Sequence, residues 1–315
     1  MSFETLNKAT GVYVIAPTPF LPDGALDLAS LDRMVDFYAA AGATGLTILG
    51  MMGEAQKLTQ AESVTVTERV MARAGRLPVV VGVSAPGLAA VRELGLRAMD
   101  MGAAGVMITP PSVTRTDDQV FGYFAQATEA LGADVPVVLQ DFPLATGVQI
   151  SNGVLGRVIE AMPSIAMLKH EDWPGLAKIA ALRAAEAAGR RRISILTGNG
   201  GLFLPEEMAR GADGAMTGFS FPEMMVGVAR LMTEGRIEAA QDLFDAYLPF
   251  VRYESQPGLG LAIRKQVLAR RGVIAHATLR KPGPGLSAAD MADIDRLLAR
   301  QERRLAAIAQ PLETA

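Results

Sequence analysis

Short apolar runs alternate with segments of helical apolar spacing over the first two thirds of the chain. Runs of this length, bounded by Gly and Pro, are typical of strands that are covered on both faces. The segments between them repeat apolar residues every three to four positions, which predicts amphipathic helices. The predicted strands cover residues 12–17, 45–49, 78–83, 105–109, 135–140, 164–169, 192–197 and 212–217, and the helices between them residues 28–41, 59–74, 86–101, 117–131, 151–161, 174–188 and 202–210.

The alternation of eight strands with helices predicts parallel strands joined by crossover connections. A recurring Gly-Ala-x-Gly turn, which begins at Gly42, Gly102 and Gly211, supports units of equal size. An eight-unit parallel repeat of this kind is the (β/α)8 barrel. A doubly wound sheet is the alternative, but no G-x-G-x-x-G follows the first predicted strand. The sequence therefore predicts an α/β protein with a (β/α)8 TIM barrel.

The last third of the chain contains no further strand pattern. Residues 222–234, 237–251, 259–271 and 288–308 have apolar stripes at helical spacing, with a Pro- and Gly-rich loop before the last of them. These segments predict a C-terminal helical extension, whose stripes are buried against the barrel or against another subunit. The predicted organisation is a barrel over residues 1–221 and a helical appendage over residues 222–315.

Composition narrows the range of partners. The chain has 315 residues with a formal net charge of −3, and no basic stripe indicates a nucleic-acid or anionic-membrane partner. With no cysteine and only two histidines, thiolate chemistry and a dedicated metal site are not expected. No secretory signal pattern and no membrane-spanning apolar run is present. We expect a cytoplasmic protein that acts on a small molecule without a metal or an organic cofactor.

One predicted buried strand ends in a charged residue, Lys169, which is followed two positions later by Glu171. Side chains alternate along a strand, so Lys169 and Glu171 point to the same side and His170 to the other. Burial of an unpaired ammonium is costly, and one solution is a neutral amine that attacks a carbonyl group. The simpler alternative is an ion pair between the two side chains. If their shared side is the barrel interior, an amine and a carboxylate meet at its mouth.

Barrel enzymes carry their reacting groups at the carboxyl ends of the strands and in the loops that follow. This rule adds Gln140, which ends the fifth predicted strand, to Lys169 and Glu171 as a catalytic candidate. The other loops at the same end supply candidate substrate-binding residues, namely Met51, Met52, Gly53, Pro110, Ser112, Asn199, Thr217 and Gly218.

Several short motifs fit one known pattern in combination. They are Ala16-Pro17-Thr18-Pro19-Phe20 with Asp23-Gly24, Leu49-Gly50-x-x-Gly53-Glu54, Thr109-Pro110, Pro143 with Thr146-Gly147, and Lys169. With these motifs the chain resembles, over nearly its whole length, the dihydrodipicolinate synthase / N-acetylneuraminate lyase superfamily of Schiff-base-forming barrels. The resemblance implies that Lys169 forms an imine with a 2-keto acid. It also implies that the backbone N–H groups of Met51 and Met52 hold the substrate carboxylate, and that the protein is a homotetramer.

Two departures from the superfamily pattern affect the expected reaction. Many members have two threonines where Met51 and Met52 stand, and most have a tyrosine where Gln140 stands; glutamine forms hydrogen bonds but cannot titrate. An arginine that dihydrodipicolinate synthases use near Ala145 is also absent, which disfavours lysine biosynthesis. The chain more closely resembles the L-2-keto-3-deoxyarabonate dehydratase branch, through Leu139-Gln140-Asp141-x-Pro143, Lys169-x-Glu171, Gly214-Ala215-Met216-Thr217-Gly218, Phe221-Pro222 and Gly272-Val273-Ile274-Ala275.

This branch implies a lyase that dehydrates a 2-keto-3-deoxyarabonate-type sugar acid to 2-oxoglutarate semialdehyde. Glu171 is within reach of C3 as a general base, while the imine on Lys169 acts as the electron sink. A class I retro-aldolase that yields pyruvate is the alternative. A dihydrodipicolinate synthase, or a barrel that binds a keto acid without turnover, is a weaker alternative.

Overall fold

The computed structural model describes residues 3–173 and 175–309 of the chain. Its eight parallel strands pair in chain order, and the first pairs with the last to close a barrel. The α/β barrel prediction is confirmed. Most strands are shorter than predicted, because pairing stops before the chain turns away from the barrel. The strands are β1 Gly11–Ile15, β2 Gly45–Ile48, β3 Val79–Gly82, β4 Gly105–Ile108, β5 Val137–Asp141, β6 Ile165–His170, β7 Ser194–Thr197 and β8 Gly214–Ala215.

Helices surround the barrel, and local sequence fixes where several of them begin. Thr59 with Glu62, and Thr116 with Gln119, form complete capping boxes at two helix starts. The predicted helix start at Pro174 lies outside the described residues. The helices are α1 Phe3–Asn7, α2 Leu28–Ala40, α3 Gln60–Ala74, α4 Leu88–Asp100, α5 Asp117–Leu131, α6 Pro143–Thr146, α7 Asn152–Ala161, α8 Leu176–Ala187, α9 Leu204–Ala209, α10 Pro222–Thr233, α11 Ile237–Glu254, α12 Gly260–Arg270 and α13 Ala288–Ala309.

A separate apolar cluster fills the inside of the barrel. Helix α1, which the sequence did not predict, packs against β6 and buries Leu6 completely. A side chain at Gly105 would meet Leu6 Cδ1 at 2.6 Å, so the barrel wall is shaped to accept this leucine. The interior cluster consists of Leu6, Ala9, Tyr13, Ile15, Val80, Ala104, Met107, Val138, Ala166, Met167, Leu196 and Met216. The filled interior leaves chemistry to the opposite, carboxyl end of the strands.

The C-terminal helices contact both the barrel and one another. Helix α10 packs on β1, β8 and α9 and so completes the helical ring, while α11 packs against α10, α12 and α13. The division of the chain at residues 221 and 222 stays a prediction. Within residues 3–173 and 175–309, no helix is both long and apolar enough to cross a bilayer.

Candidate active site

The structure places Lys169 and Glu171 in direct contact at the carboxyl end of β6. The distance from Lys169 Nζ to Glu171 Oε2 is 2.8 Å. Both residues are nearly inaccessible to solvent, with exposed fractions of 4% for Lys169 and 5% for Glu171. The two-residue alternation of a strand therefore turns a sequence spacing into a buried amine–carboxylate pair.

Gln140 contacts the same carboxylate oxygen from the neighbouring strand. The register of β5 and β6 pairs Gln140 with Lys169, which brings the amide to the inner face of the barrel. Its Nε2 donates to Glu171 Oε2 at 2.6 Å. Glu171 Oε2 therefore lies between the amine and the amide. No hydrogen bond joins Glu171 Oε1 to any of the residues that the structure describes.

The backbone around Glu171 is fixed by three hydrogen bonds at the strand ends. Glu171 N–H donates to Asp141 O at 2.8 Å, and Gly198 N–H donates to His170 O at 2.9 Å. The Asn199 side-chain amide donates to Glu171 O at 3.1 Å. Asn199, predicted to bind substrate, thus holds the backbone of Glu171 in this structure; its contact with substrate stays a prediction.

Gly198 provides the space that the Glu171 side chain occupies. A Cβ at position 198 would lie 2.2 Å from Glu171 Cγ and 2.4 Å from Oε1, far inside van der Waals contact. No periodicity or motif signals that a glutamate from the preceding strand packs on Gly198, because the contact exists only after the barrel closes.

A second charged cluster lies behind the pair, on the outer side of β5 and β6. Lys178 Nζ contacts Asp141 Oδ2 at 2.7 Å and Asp172 Oδ2 at 2.8 Å, and it also donates to Ile150 O at 2.8 Å. His170 is fully buried, and its Nε2–H donates to Gly175 O at 3.0 Å. This cluster ties the segment after Glu171 to the adjoining elements.

One buried carboxyl near this cluster has an unusual proton affinity. Burial raises the pKa of Glu207, on α9, to about 7, although hydrogen bonding to Thr197 and the charge of nearby His170 oppose the rise. The negative charges of Glu206 and Glu171 add to it. Glu207 therefore changes its charge near neutral pH.

The candidate carboxylate site is the single turn of 3-10 helix at Met51–Gly53, directly after β2. The N–H groups of Met51 and Met52 are the first of this turn, so they have no acceptor within it. Among the described residues neither N–H group has another acceptor. The Met52 side chain packs on the barrel interior. Two unpaired N–H groups at the barrel mouth can donate hydrogen bonds to an anion.

The backbone on both sides of this turn adopts an unfavourable conformation. Leu49 and Glu54 each have a φ of 55°, in the left-handed region that non-glycine residues rarely adopt. Thr18 Oγ1 donates to Gly53 O at 2.6 Å and holds the end of the turn. Such conformations persist where the surrounding structure imposes them, and they are frequent at functional sites.

The other predicted residues lie in the mouth loops, and within the described part of the chain no hydrogen bond joins them to Lys169 or Glu171. Thr217 Oγ1 accepts from Gly200 N–H at 2.9 Å, and Gly218 packs under the guanidinium of Arg264. Pro110 is buried, whereas Ser112 is exposed. Their contact with substrate stays a prediction.

Two surface clefts lie outside the barrel mouth. One, of about 250 Å³, lies between α7 and α8, and the other, of about 620 Å³, lies beside Trp173. Neither cleft is lined by Lys169 or Glu171. Trp173, which lines the second cleft, packs edge-on against Phe203, with 5.1 Å between the ring centroids.

Comparison with known proteins identifies relatives along nearly the whole chain. The chain is 32% identical over 292 residues to L-2-keto-3-deoxyarabonate dehydratase of Azospirillum brasilense, an alignment that covers 91% of this chain and 92% of that protein. It is 31% identical over 297 residues to 4-hydroxy-tetrahydrodipicolinate synthase of Xanthomonas campestris, covering 92% of this chain and 94% of that protein.

A solved structure also resembles this chain along nearly its whole length. The crystal structure of dihydrodipicolinate synthase from Rhodopseudomonas palustris superposes with a TM-score of 0.92 at 51% identity, covering 95% of this chain and 99% of that one. The model of the dihydrodipicolinate synthetase family matches residues 8–301. The chain therefore belongs to the dihydrodipicolinate synthetase family, as its motifs predicted.

Proposed function

We propose that this protein dehydrates a 2-keto-3-deoxy sugar acid of the 2-keto-3-deoxyarabonate type to 2-oxoglutarate semialdehyde. As a family member the protein is a lyase, and the substrate and the bond that it breaks are the proposal. The observation that carries it is the contact of Glu171 with both Lys169 and Gln140. The name of the Azospirillum relative supports the same substrate class.

The first step is imine formation on Lys169. Glu171 Oε2, 2.8 Å from the ammonium, accepts a proton from it and leaves a neutral amine. The amine attacks the C2 carbonyl of the substrate, and the addition product loses water to give a protonated imine. The N–H groups of Met51 and Met52 bind the substrate carboxylate, which orients C2 toward Lys169.

The second step uses the imine as an electron sink. Glu171, once its proton has left with the water of imine formation, removes a proton from C3, and the electron pair moves to nitrogen to give an enamine. The enamine expels the C4 hydroxyl, which leaves as water with the proton that Glu171 carries. A proton then moves from C5 to C3, the resulting enol becomes the aldehyde, and hydrolysis of the imine frees Lys169.

Gln140 favours dehydration over carbon–carbon cleavage. A retro-aldolase must remove the proton of the C4 hydroxyl, and a glutamine amide cannot act as that base. In this structure Gln140 donates to Glu171 Oε2, so it orients the base and leaves proton transfer to the carboxylate.

Product analysis separates the two reactions. The purified protein is incubated with L-2-keto-3-deoxyarabonate, and the products are identified by mass spectrometry. Formation of 2-oxoglutarate semialdehyde without pyruvate supports the proposal. Formation of pyruvate with a two-carbon aldehyde identifies the retro-aldolase instead.

Glu171→Gln tests the base assignment. The variant keeps the size of the side chain but cannot accept the C3 proton, so turnover falls by about 10²–10⁴-fold, the usual contribution of a positioned acid–base group. Turnover is measured as entry of solvent deuterium into C3 of bound 2-oxobutyrate, by NMR. Borohydride trapping of the imine on Lys169 is measured in parallel, because Glu171 also takes the proton of the ammonium group. The base assignment requires that deuterium exchange falls further than trapping does. Full exchange activity in Glu171→Gln would show that another group is the base.

We also propose that the protein is a homotetramer, as the family resemblance implies. Exposed apolar side chains at Val113, in the loop after β4, and at Leu144, in the short helix α6 after the neighbouring strand β5, are suited to burial between subunits. Sedimentation equilibrium measures the mass directly, and a monomer at micromolar concentration would contradict the assembly.

A further inference from the structure

We infer that Lys265 is a positioning residue for the substrate carboxylate, acting from α12 through Glu54 and Thr18 on the Met51–Gly53 turn. The inference deepens the proposed function and rests on it, because it assumes that the turn binds the carboxylate of a 2-keto acid. Lys265 lies 211 positions from Glu54 in the sequence, and no motif connects them.

The ammonium of Lys265 is fully enclosed and fully hydrogen-bonded. Lys265 is 0% exposed to solvent. Nζ donates to Thr18 O at 2.7 Å, to Glu54 Oε1 at 2.7 Å and to Thr278 O at 2.8 Å. It also lies 4.5 Å from the centre of the Phe20 ring. All three ammonium protons are used, which fixes the position of each acceptor.

Two of those three acceptors lead directly to the end of the turn. Glu54 follows Gly53 in the chain, and its N–H donates to Met51 O at 3.0 Å. Thr18, whose carbonyl binds Lys265, uses its hydroxyl to hold Gly53 O at 2.6 Å. The Lys265 ammonium thus holds the turn through Glu54, which follows it in the chain, and through Thr18, which is hydrogen-bonded to Gly53.

The backbone geometry explains why the turn needs such a restraint. Leu49 and Glu54 lie on either side of it in the left-handed region, which is unfavourable for a non-glycine residue. A turn with strained residues at both ends relaxes when its contacts are lost. Rotation of the peptide units at Met51 and Met52 then turns their N–H groups away from the carboxylate position.

Glu54 has enough other partners for the fold to survive the loss of Lys265. Its Oε2 accepts from Lys57 Nζ at 2.8 Å and from Arg280 N–H at 3.1 Å. Glu54 therefore stays paired when Lys265 is replaced, so its charge is not left alone in the interior. A buried ion pair is in any case weak evidence for a purely stabilising role, because apolar replacements are often tolerated.

Lys265→Met is the direct test, read with two ketones that differ in the carboxylate. The imine on Lys169 is trapped with borohydride below saturation, using pyruvate as one probe and hydroxyacetone, which has no carboxylate, as the other. We expect trapping by pyruvate to slow about tenfold, the value of one hydrogen bond to a charged group. Trapping by hydroxyacetone stays at the wild-type rate, because the amine is untouched.

Arg183→Met is the matched control. Arg183 is also a largely buried cation, 2.5 Å from Asp213 and 2.7 Å from Glu186, but it binds Gly211 O at the other end of the barrel. It should slow neither probe selectively. Glu54→Gln, which keeps the shape of the side chain, provides a second variant with the same expected selectivity if Lys265→Met does not fold by circular dichroism.

The possible results separate the inference from the function on which it rests. A selective loss of pyruvate trapping in Lys265→Met or Glu54→Gln supports the positioning role. Equal slowing of both probes, or no change in either, overturns it while leaving imine formation on Lys169 intact. Failure of the wild-type protein to form an adduct with either probe overturns the proposed function itself.

Discussion

Gly198→Ala introduces one methyl group against the Lys169–Glu171 pair and tests the geometry of the candidate site. The added Cβ would lie 2.2 Å from Glu171 Cγ, whereas carbon atoms in contact are about 3.5 Å apart. Glu171 must therefore retreat by roughly 1.3 Å, which stretches its contacts of 2.6 Å with Gln140 and 2.8 Å with Lys169 beyond hydrogen-bond length. A misplacement of about 1 Å can cost about 10²-fold in rate, so we expect a loss of that size.

The assay is deuterium entry into C3 of 2-oxobutyrate, with thermal unfolding measured in parallel. Gly285→Ala is the matched control, because a Cβ there meets nothing within 4 Å. It should keep both the exchange rate and the unfolding temperature. An exchange rate equal to that of wild type in a folded Gly198→Ala protein would contradict this prediction. It would show that exchange does not need Glu171 in the position that Gly198 allows.

Two further predictions concern stability. The raised pKa of Glu207 means that the folded state binds its proton more tightly than the unfolded state, so this contribution to stability is complete below pH 4.5 and is lost as pH rises through about 7. The free energy of unfolding of Glu207→Gln, relative to that of wild type, should therefore rise by roughly 3 kcal/mol from pH 5 to pH 8, as measured by denaturant unfolding. A difference that does not change with pH would contradict this prediction. Leu6→Ala should lower the free energy of unfolding by about 2–5 kcal/mol in the same measurement, because Leu6 is completely buried in the apolar cluster inside the barrel. A neutral effect would show that α1 is dispensable.

The barrel could be predicted because its signals are local. Each strand is a short apolar run, each outer helix has its own apolar stripe, and eight such units admit few arrangements. Helix α1 was missed because five residues are too few to show a period, and its burial depends on Leu6 meeting the barrel floor. Helix α6, four residues long, was missed for the same reason.

The site was predictable only in part. The contact of Lys169 with Glu171 follows from strand alternation alone, and the structure has it at 2.8 Å. The contact of Gln140 with Glu171 depends on the register of two strands, and a bulge near Val137 alters that register in a way that residue types do not reveal. Lys265 could not be found, because two of its three acceptors, on Thr18 and Glu54, lie more than two hundred residues away in the sequence.

Imine formation on Lys169 is tested most directly by finding which side chain forms a covalent bond to the substrate. The protein is incubated with pyruvate and borohydride, digested, and mapped by mass spectrometry. We expect one reduced adduct, on Lys169, and no adduct in the Lys169→Ala variant. An adduct on a different lysine, or none at any pyruvate concentration, would contradict imine chemistry at this position.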